Sequence, residues 1–195
     1  MGMNILAIET SCDETACAVV RDGTKIISNV VASSTAMHEK YGGIVPEVAA
    51  REQLKCIIPV IREALSGSSL QTINAIAVTV GPGLIGSLLV GVETAKTIAF
   101  ITGKPIIPVN HVLAHMYANF ISQKSKVKSQ KVTFPAISLV VSGGHTELYL
   151  MKSAKNLTWL GGTLDDAAGE CFDKTARLLV FGHGGGLAIE KAALI

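Results

Sequence analysis

His111 and His115 lie four residues apart in the segment Asn110-His111-Val112-Leu113-Ala114-His115. On a helix that spacing stacks both imidazoles on one face, one turn apart. Two stacked imidazoles form a donor pair suited to one borderline-soft divalent cation. Zinc proteases of the HExxH type share the spacing, but a glutamate follows their first histidine and serves as general base. Here that position is Val112. The pair suits a metal and lacks the protease's base. Two histidines on a solvated helix face would show the same spacing, so the neighbouring motifs must decide.

Two glycine-rich segments keep it company. Gly81-Pro82-Gly83-Leu84-Ile85-Gly86-Ser87 joins an apolar run to a helical pattern, where unpaired N–H groups stabilise anions. Val141-Ser142-Gly143-Gly144-His145 offers two residues without Cβ, where a ligand can approach the backbone. Neither ends in the GK[ST] of a Walker A loop, and neither matches the dinucleotide fingerprint. Each by itself is also an ordinary tight turn.

These segments need elements to hold them. Asn4 to Glu9 reads as a buried strand. Ala16 to Arg21 and Lys25 to Val31 read as a hairpin around Asp22-Gly23. A helix is predicted from Pro46 to about Leu65, with Val48, Leu54, Ile57, Ile58, Ile61 and Leu65 as its apolar stripe and Pro59 kinking or splitting it. Asn74 to Val80 is a β-branched strand, and Ser87 to Thr102 a helix stopped by Gly103. Pro105 to Val109 is a short strand, and the histidine helix follows it.

Ser122 to Thr133 carries Lys124, Lys126, Lys128 and Lys131 among Ser and Gln, and reads as an exposed connector. Most such lysine runs are solvated loops, and phosphate binding is the other reading. Beyond it the opening pattern returns. Ala136 to Val141 is a strand, Ser142 to His145 a turn, Thr146 to Met151 a strand and Leu157 to Leu160 a further one, with a helix from near Asp165. The first half likewise runs strand, polar turn (Thr10 to Glu14), strand, strand, helix. A duplicated unit facing itself across a cleft is the actin-like arrangement of sugar kinases and Hsp70 ATPases. The predicted fold is therefore α/β and actin-like (ribonuclease H-like), with a first subdomain over 1–122, a connector over 123–134 and the start of a second subdomain over 135–195. In such a pair the two polar turns hold phosphates between them.

Composition agrees with a soluble cytoplasmic enzyme. Across 195 residues, 49% are hydrophobic and 16% charged, enough apolar matter for a core and too much for disorder. The net charge of +2 does not by itself point to nucleic acid. Cys12, Cys17, Cys56 and Cys171 have no CxxC spacing and read as reduced thiols or core fillers rather than a disulfide framework. The long apolar region from Ile76 to Val92 is broken by Pro82 and glycines and followed by Glu93 and Lys96, so no membrane span is predicted.

Ile8-Glu9-Thr10-Ser11-Cys12-Asp13-Glu14-Thr15 resembles the opening of the TsaD family, long labelled Gcp or O-sialoglycoprotein endopeptidase, the tRNA N6-adenosine threonylcarbamoyltransferases. Further matches follow in order: Tyr41 to Glu47, Gly81-Pro82-Gly83-Leu84, the His111/His115 pair, Val141 to Thr146, and Asp165 to Thr175. The resemblance runs from Ile5 to about Leu194.

That resemblance implies two actin-like subdomains and transfer of a threonylcarbamoyl group from threonylcarbamoyl-AMP to N6 of the tRNA adenosine just 3′ of the anticodon. It implies that His111 and His115 are ligands of one divalent metal ion, zinc or iron. It also implies that Val140, Val141, Ser142, Gly143, Gly144, Asp173 and Gly186 bind the nucleotide-linked substrate, and that Asp13 and Glu14 lie near the reaction centre. The implied partners are tRNA and proteins of the bacterial TsaB and TsaE type. A carboxylate at Asp13 or Glu14 would orient the weakly nucleophilic adenine amine or take its proton; alternatively, both only shape the turn.

Two departures stand out. The family supplies a third metal ligand, an aspartate, and a nucleotide-contacting asparagine from a part beyond this chain, so the chain reads as an N-terminal fragment without transferase activity of its own and with some apolar surface uncovered. The family's Tyr-Pro-Gly-Gly-Pro reads His183-Gly184-Gly185-Gly186-Leu187 here, and Leu113 stands where the family often has a glutamate. A non-catalytic actin-like partner subunit and a metalloprotease are the other readings. The histidine pair counts against the first and Val112 against the second.

Overall fold

A computed structural model of the chain describes residues 2–121, 132–181 and 185–194. The chain divides into two compact units, Met1–Gln130 and Lys131–Ile195. Most of the lysine-rich stretch, 122–131, lies outside the described residues, as does His183.

The first unit is built on a five-stranded sheet. Strands β1 (Asn4–Glu9), β2 (Glu14–Arg21) and β3 (Lys25–Ser33) form an antiparallel meander. Asp22 and Gly23 both take positive φ, 52° and 73°, which gives a hairpin turn whose twist matches the strands. Strands β4 (Ala75–Gly81) and β5 (Ile106–Asn110) add to the other side of β1 in parallel, giving the order β3-β2-β1-β4-β5. Five consecutive residues of β4, Ala75 to Thr79, are buried, as expected for a central parallel strand covered on both faces.

Helices cover this sheet. The short α1 (Thr35–His38) leads into α2 (Pro46–Ala64), and α3 (Ile85–Thr102) is the crossover between β4 and β5. The core joins Leu6 and Ile8 of β1, Cys17 and Val19 of β2, Ile57, Val60 and Ile61 of α2, Ile76 and Val78 of β4, and Val90, Ala95 and Ala99 of α3. α3 ends on Gly103 in the left-handed region at φ 66°, as its C-cap chemistry requires. It is long and apolar enough to cross a membrane, with a mean hydropathy of 1.4, but its Ser87, Leu88, Val90, Gly91, Ala95 and Ala99 are buried within the unit.

The structure corrects the expected stripe of α2. Its buried face consists of Ala49, Gln53, Ile57, Val60, Ile61 and Ala64, whereas Leu54 and Ile58 are 64% and 54% exposed. Nor does Pro59 split the helix, which continues as one element. Pro59 sits on the exposed side, where the carbonyl it leaves without a helical donor can be hydrated.

In the second unit, β6 (Ala136–Val141), β7 (Thr146–Ser153) and β8 (Asn156–Gly162) again form an antiparallel meander, and α5 (Ala168–Leu178) and α6 (Gly185–Ala193) pack on each other. Between β5 and β6 lies only the seven-residue α4 (His111–Tyr117) and a short turn among the described residues. The repeated opening expected from the sequence is present: strand, polar turn, strand, strand, helix. The units differ at one edge. β1 has β4 on its outer side, while β6, among the described residues, pairs with β7 alone and exposes Ile137 and Leu139 at 61% and 60%. The second unit thus leaves large apolar side chains in water.

Candidate functional site

Parallel pairing brings the chemistry of the first unit to one end of the sheet. β1, β4 and β5 run the same way, with Ile8 opposite Val78, Thr79 opposite Val109 and Gly81 opposite Asn110. Their carboxyl ends therefore open into three adjacent segments: Thr10 to Glu14, Pro82 to Ser87, and the histidine helix. Ligands of open α/β sheets bind outside the carboxyl ends of strands.

α4 starts directly after β5. The Asn110 side chain accepts from the Leu113 N–H at 3.0 Å and caps the helix. Val112 and Met116 face the core at 3% and 2% exposure, which turns His111 and His115 the other way. The two Nε2 atoms lie 3.1 Å apart, with the rings edge to face at 83°. A tetrahedral zinc with Zn–N near 2.0–2.1 Å would separate two ligand nitrogens by roughly 3.3 Å. The donor chemistry and spacing of the pair thus fit one such ion. Among the described residues no group of three or more His, Cys, Asp or Glu side chains completes the site. At the position where an HExxH protease has its base, Val112 is buried in the core.

The inner imidazole has further company. His111 Nδ1 lies 3.1 Å from Ser11 Oγ and 3.4 Å from Glu9 Oε1. The same Glu9 oxygen accepts the Ser11 N–H at 2.9 Å. Burial pushes the Glu9 carboxyl up, but the hydrogen bonds from His111 and Ser11 outweigh it and hold the group below its ordinary value. Neither Glu9 nor Ser11 was singled out as a site residue from the sequence. The available signal was a carboxylate closing an otherwise apolar strand.

Asp13 and Glu14 sit on the turn between β1 and β2. The Asp13 carboxylate accepts from Thr35 Oγ1 at 2.8 Å, and its carbonyl accepts from the Ser34 N–H and hydroxyl at 3.0 and 2.7 Å. Ser34 in turn contacts buried His38, whose Nδ1 accepts the Val45 N–H at 3.2 Å just before α2. Glu14 is exposed, yet the partial burial of its carboxyl, then the charges of Asp13 and Glu9, push it up. Burial and the adjacent Asp13 raise the Cys12 thiol to about 12, so it remains protonated.

From beneath, Gln53 holds the turn. It is 1% exposed, and its Nε2 donates toward the carbonyls of Thr10, Cys12 and Glu14 at 3.3, 3.0 and 3.0 Å. The Pro82–Ser87 segment closes the other side. Leu84 N–H donates to the Ser11 carbonyl at 2.8 Å, and a Cβ on Gly83 would stand 2.5 Å from that same oxygen. Only glycine permits that approach.

The nucleotide-site residues expected from the resemblance lie in the second unit. Val140 is 6% exposed and Val141 faces solvent; both pair with β7, opposite Glu147 and Thr146. Val140 can therefore offer a ligand only its backbone. The Ser142 hydroxyl accepts the N–H groups of Gly144 and His145 at 3.3 and 3.0 Å, which curls the turn. That turn meets the start of α5: Gly169 N–H donates to the Ser142 carbonyl at 3.1 Å, and Ala168 N–H to Thr146 Oγ1 at 2.8 Å. Asp173 accepts the Gly185 N–H at 3.0 Å, and a Cβ on Gly185 would lie 2.5 Å from Asp173. Gly186 is one residue further along α6 and exposed, with open space around its Cα. The structure thus seats Gly185, rather than Gly186, against Asp173.

Known proteins resemble this chain closely. Residues 25–194 match the family described as TsaD, tRNA N6-adenosine threonylcarbamoyltransferase. A protein of that name from Thermomicrobium roseum is 55% identical over 98% of this chain and 53% of its own length. Another from Moorella thermoacetica is 50% identical over 97% of this chain and 54% of its own. The chain therefore spans about half the length of these relatives. Among solved structures, YeaZ from Pseudomonas aeruginosa is similar with a TM-score of 0.50 and 16% identity, covering 82% of this chain and 65% of that one. Component A of the (R)-2-hydroxyglutaryl-CoA dehydratase of Acidaminococcus fermentans also has a TM-score of 0.50 and 16% identity, over 91% of this chain and 54% of that one. These likenesses show the fold: α/β, of the actin-like kind.

Proposed function

The chain belongs to the TsaD family of tRNA N6-adenosine threonylcarbamoyltransferases, and from that premise we propose that it serves the transfer of threonylcarbamoyl from threonylcarbamoyl-AMP to N6 of the tRNA adenosine 3′ of the anticodon. The observation that carries this reading is the meeting of His111 and His115, Nε2 to Nε2 at 3.1 Å, with the acidic turn at the carboxyl ends of β1, β4 and β5.

The residues divide the work by chemistry. His111 and His115 would hold a divalent zinc or iron, which supplies Lewis acidity and orientation for an acyl phosphate carbonyl. The adenine amine is a poor nucleophile because its lone pair is conjugated into the ring. Glu14, its carboxyl pushed up by partial burial and by the charges of Asp13 and Glu9, would accept the amine proton. Asp13, tethered by Thr35, is suited to orienting the amine. The Ser142-Gly143-Gly144 turn, whose Ser142 and Gly144 N–H groups are spent on the His145 carbonyl and the Ser142 hydroxyl, would lie against the adenylate phosphate, while Val140, Val141, Asp173 and the α6 glycines Gly185 and Gly186 border the nucleotide. The natural setting is the cytoplasm, with tRNA and partner proteins of the TsaB and TsaE type, and the rest of the active enzyme comes from the half that the relatives carry beyond this match.

A chimera tests this reading. This chain replaces the matching half of the Thermomicrobium roseum relative, and the product is assayed for threonylcarbamoylated tRNA with partner proteins supplied. Activity is expected in the chimera and its loss in the Asp13→Asn version, with adenylate binding retained. A folded chimera that binds neither adenylate nor tRNA would overturn the assignment.

A further inference from the structure

We infer that Glu9 is a positioning residue for the metal pair: with Ser11 it fixes the proton of His111 on Nδ1 and so presents the unprotonated Nε2 to the cation. This inference deepens the proposed function and rests on its reading of His111 and His115 as metal ligands. Neither the family resemblance nor the site expectations assign Glu9 a role.

A neutral imidazole carries one proton, and the partner of one nitrogen decides which nitrogen is left to bind a metal. His111 turns Nδ1 toward Glu9 Oε1 at 3.4 Å and Ser11 Oγ at 3.1 Å. It turns Nε2 toward His115 Nε2 at 3.1 Å. A carboxylate only accepts, so its presence beside Nδ1 selects the Nδ1–H form. The contact between the two Nε2 atoms requires one donor and one acceptor. With Nδ1–H on His111, its Nε2 is the acceptor and His115 is the donor. The Glu9 and His115 contacts are compatible with that one proton arrangement, in which the Ser11 hydroxyl also accepts from Nδ1.

Glu9 is also held in place for this task. It ends β1, a strand paired on both sides, and the Ser11 N–H anchors the same Oε1 that faces His111. That N–H demands an oxygen at this position. In Glu9→Gln the amide oxygen would therefore occupy the Oε1 site and keep accepting from Nδ1, without the negative charge. Carboxylate partners behind ligating histidines fix ring orientation and raise donor strength, and losing one typically weakens metal binding by about 10–100-fold.

Two measurements on the 195-residue chain test the inference. Long-range proton–nitrogen correlation spectra of the metal-free protein, at a pH where the imidazoles are neutral, report the His111 tautomer. The wild type is expected to show Nδ1–H. Glu9→Ala should lose it in favour of Nε2–H, and Glu9→Gln should keep it. Zinc titrations should give affinity weaker by about 10–100-fold in Glu9→Ala and by less in Glu9→Gln. A role in stability alone would lower the melting temperature of both variants without moving the ring signals. The inference is overturned by Nε2–H on His111 in the wild type, or by Glu9→Ala that folds with tautomer and zinc affinity unchanged. A wild-type chain that takes up no zinc would instead remove the metal reading, while the tautomer still decides the role of Glu9.

Discussion

The Gln53 carboxamide, buried on α2, donates to the Cys12 carbonyl at 3.0 Å and so ties the middle of a helix to the apex of the acidic turn. The same nitrogen lies 3.0 Å from the Glu14 carbonyl and 3.3 Å from that of Thr10. Together with the Ser87 hydroxyl on the same Cys12 carbonyl at 3.0 Å, this side chain shapes the segment on which Asp13 and Glu14 stand. Carbonyls pointing inward need a donor from the core, and α2 supplies it.

Replacing Gln53 with Leu keeps the volume and removes that donor. The Cys12 carbonyl keeps the Ser87 hydroxyl at 3.0 Å, and the variant also removes the unpartnered Gln53 Oε1, so the loss falls on the Thr10 and Glu14 carbonyls; a buried acceptor deprived of its donor costs about 1–3 kcal/mol. The variant is expected to lose stability in that range, measured as a lower urea midpoint at unchanged slope. Wild-type stability in Gln53→Leu would show that the turn does not depend on this donor.

Gly83→Ala should act on the same turn from the opposite side. The added Cβ would stand 2.5 Å from the Ser11 carbonyl oxygen and 2.9 Å from the Ser11 Cβ, so backbone must move. Overpacking of this kind costs about 1–3 kcal/mol. Because Ser11 Oγ touches His111, zinc affinity should fall along with the melting temperature. Loss of stability with full zinc affinity would separate the turn from the histidine pair.

The strands were readable because their apolar runs are bounded by strong turn chemistry. Asp22-Gly23 and Gly103 mark their own breaks, and both adopt the positive φ their composition favours. The histidine spacing was readable because Val112 and Met116 give α4 an inward face. Gln53 was not, since a polar residue inside a helix pattern is ordinarily placed outside. Its position four residues after buried Ala49 and four before buried Ile57 was the available sign. Leu54 and Ile58 each follow a buried position by one residue, and one step on a helix turns the side chain by about 100°. Apolar type alone therefore assigned them to the wrong face. Glu9 was hidden for another reason: its partner is His111, and only the β1–β4–β5 register brings the two together.

Glu14→Gln should change stability in a pH-dependent way. Burial and the charges of Asp13 and Glu9 raise this carboxyl above 4.5, so the folded state holds its proton longer than the unfolded chain does. Stability linked to it is full below 4.5 and lost as pH rises through the raised value. Gln cannot ionise and escapes that loss. The variant is expected to melt slightly higher than wild type at neutral pH and to lose this advantage in acid. Melting curves across that range check the sign, and an equal difference at every pH would remove the electrostatic explanation.

Zinc should stabilise the folded chain through the histidine pair. The two Nε2 atoms, 3.1 Å apart on one short helix, are preset only in the native state, so a metal they share binds folded protein in preference to unfolded. By linkage, zinc at 100 times its dissociation constant adds about 2.7 kcal/mol. Melting temperature is expected to rise with zinc in the wild type and to return on adding a chelator. His115→Ala removes one donor from an exposed position and leaves the core contacts of Val112 and Met116 intact. It should fold as well as wild type without metal and lose the rise. A zinc response that survives in His115→Ala would place the binding elsewhere and detach the pair from the proposed site.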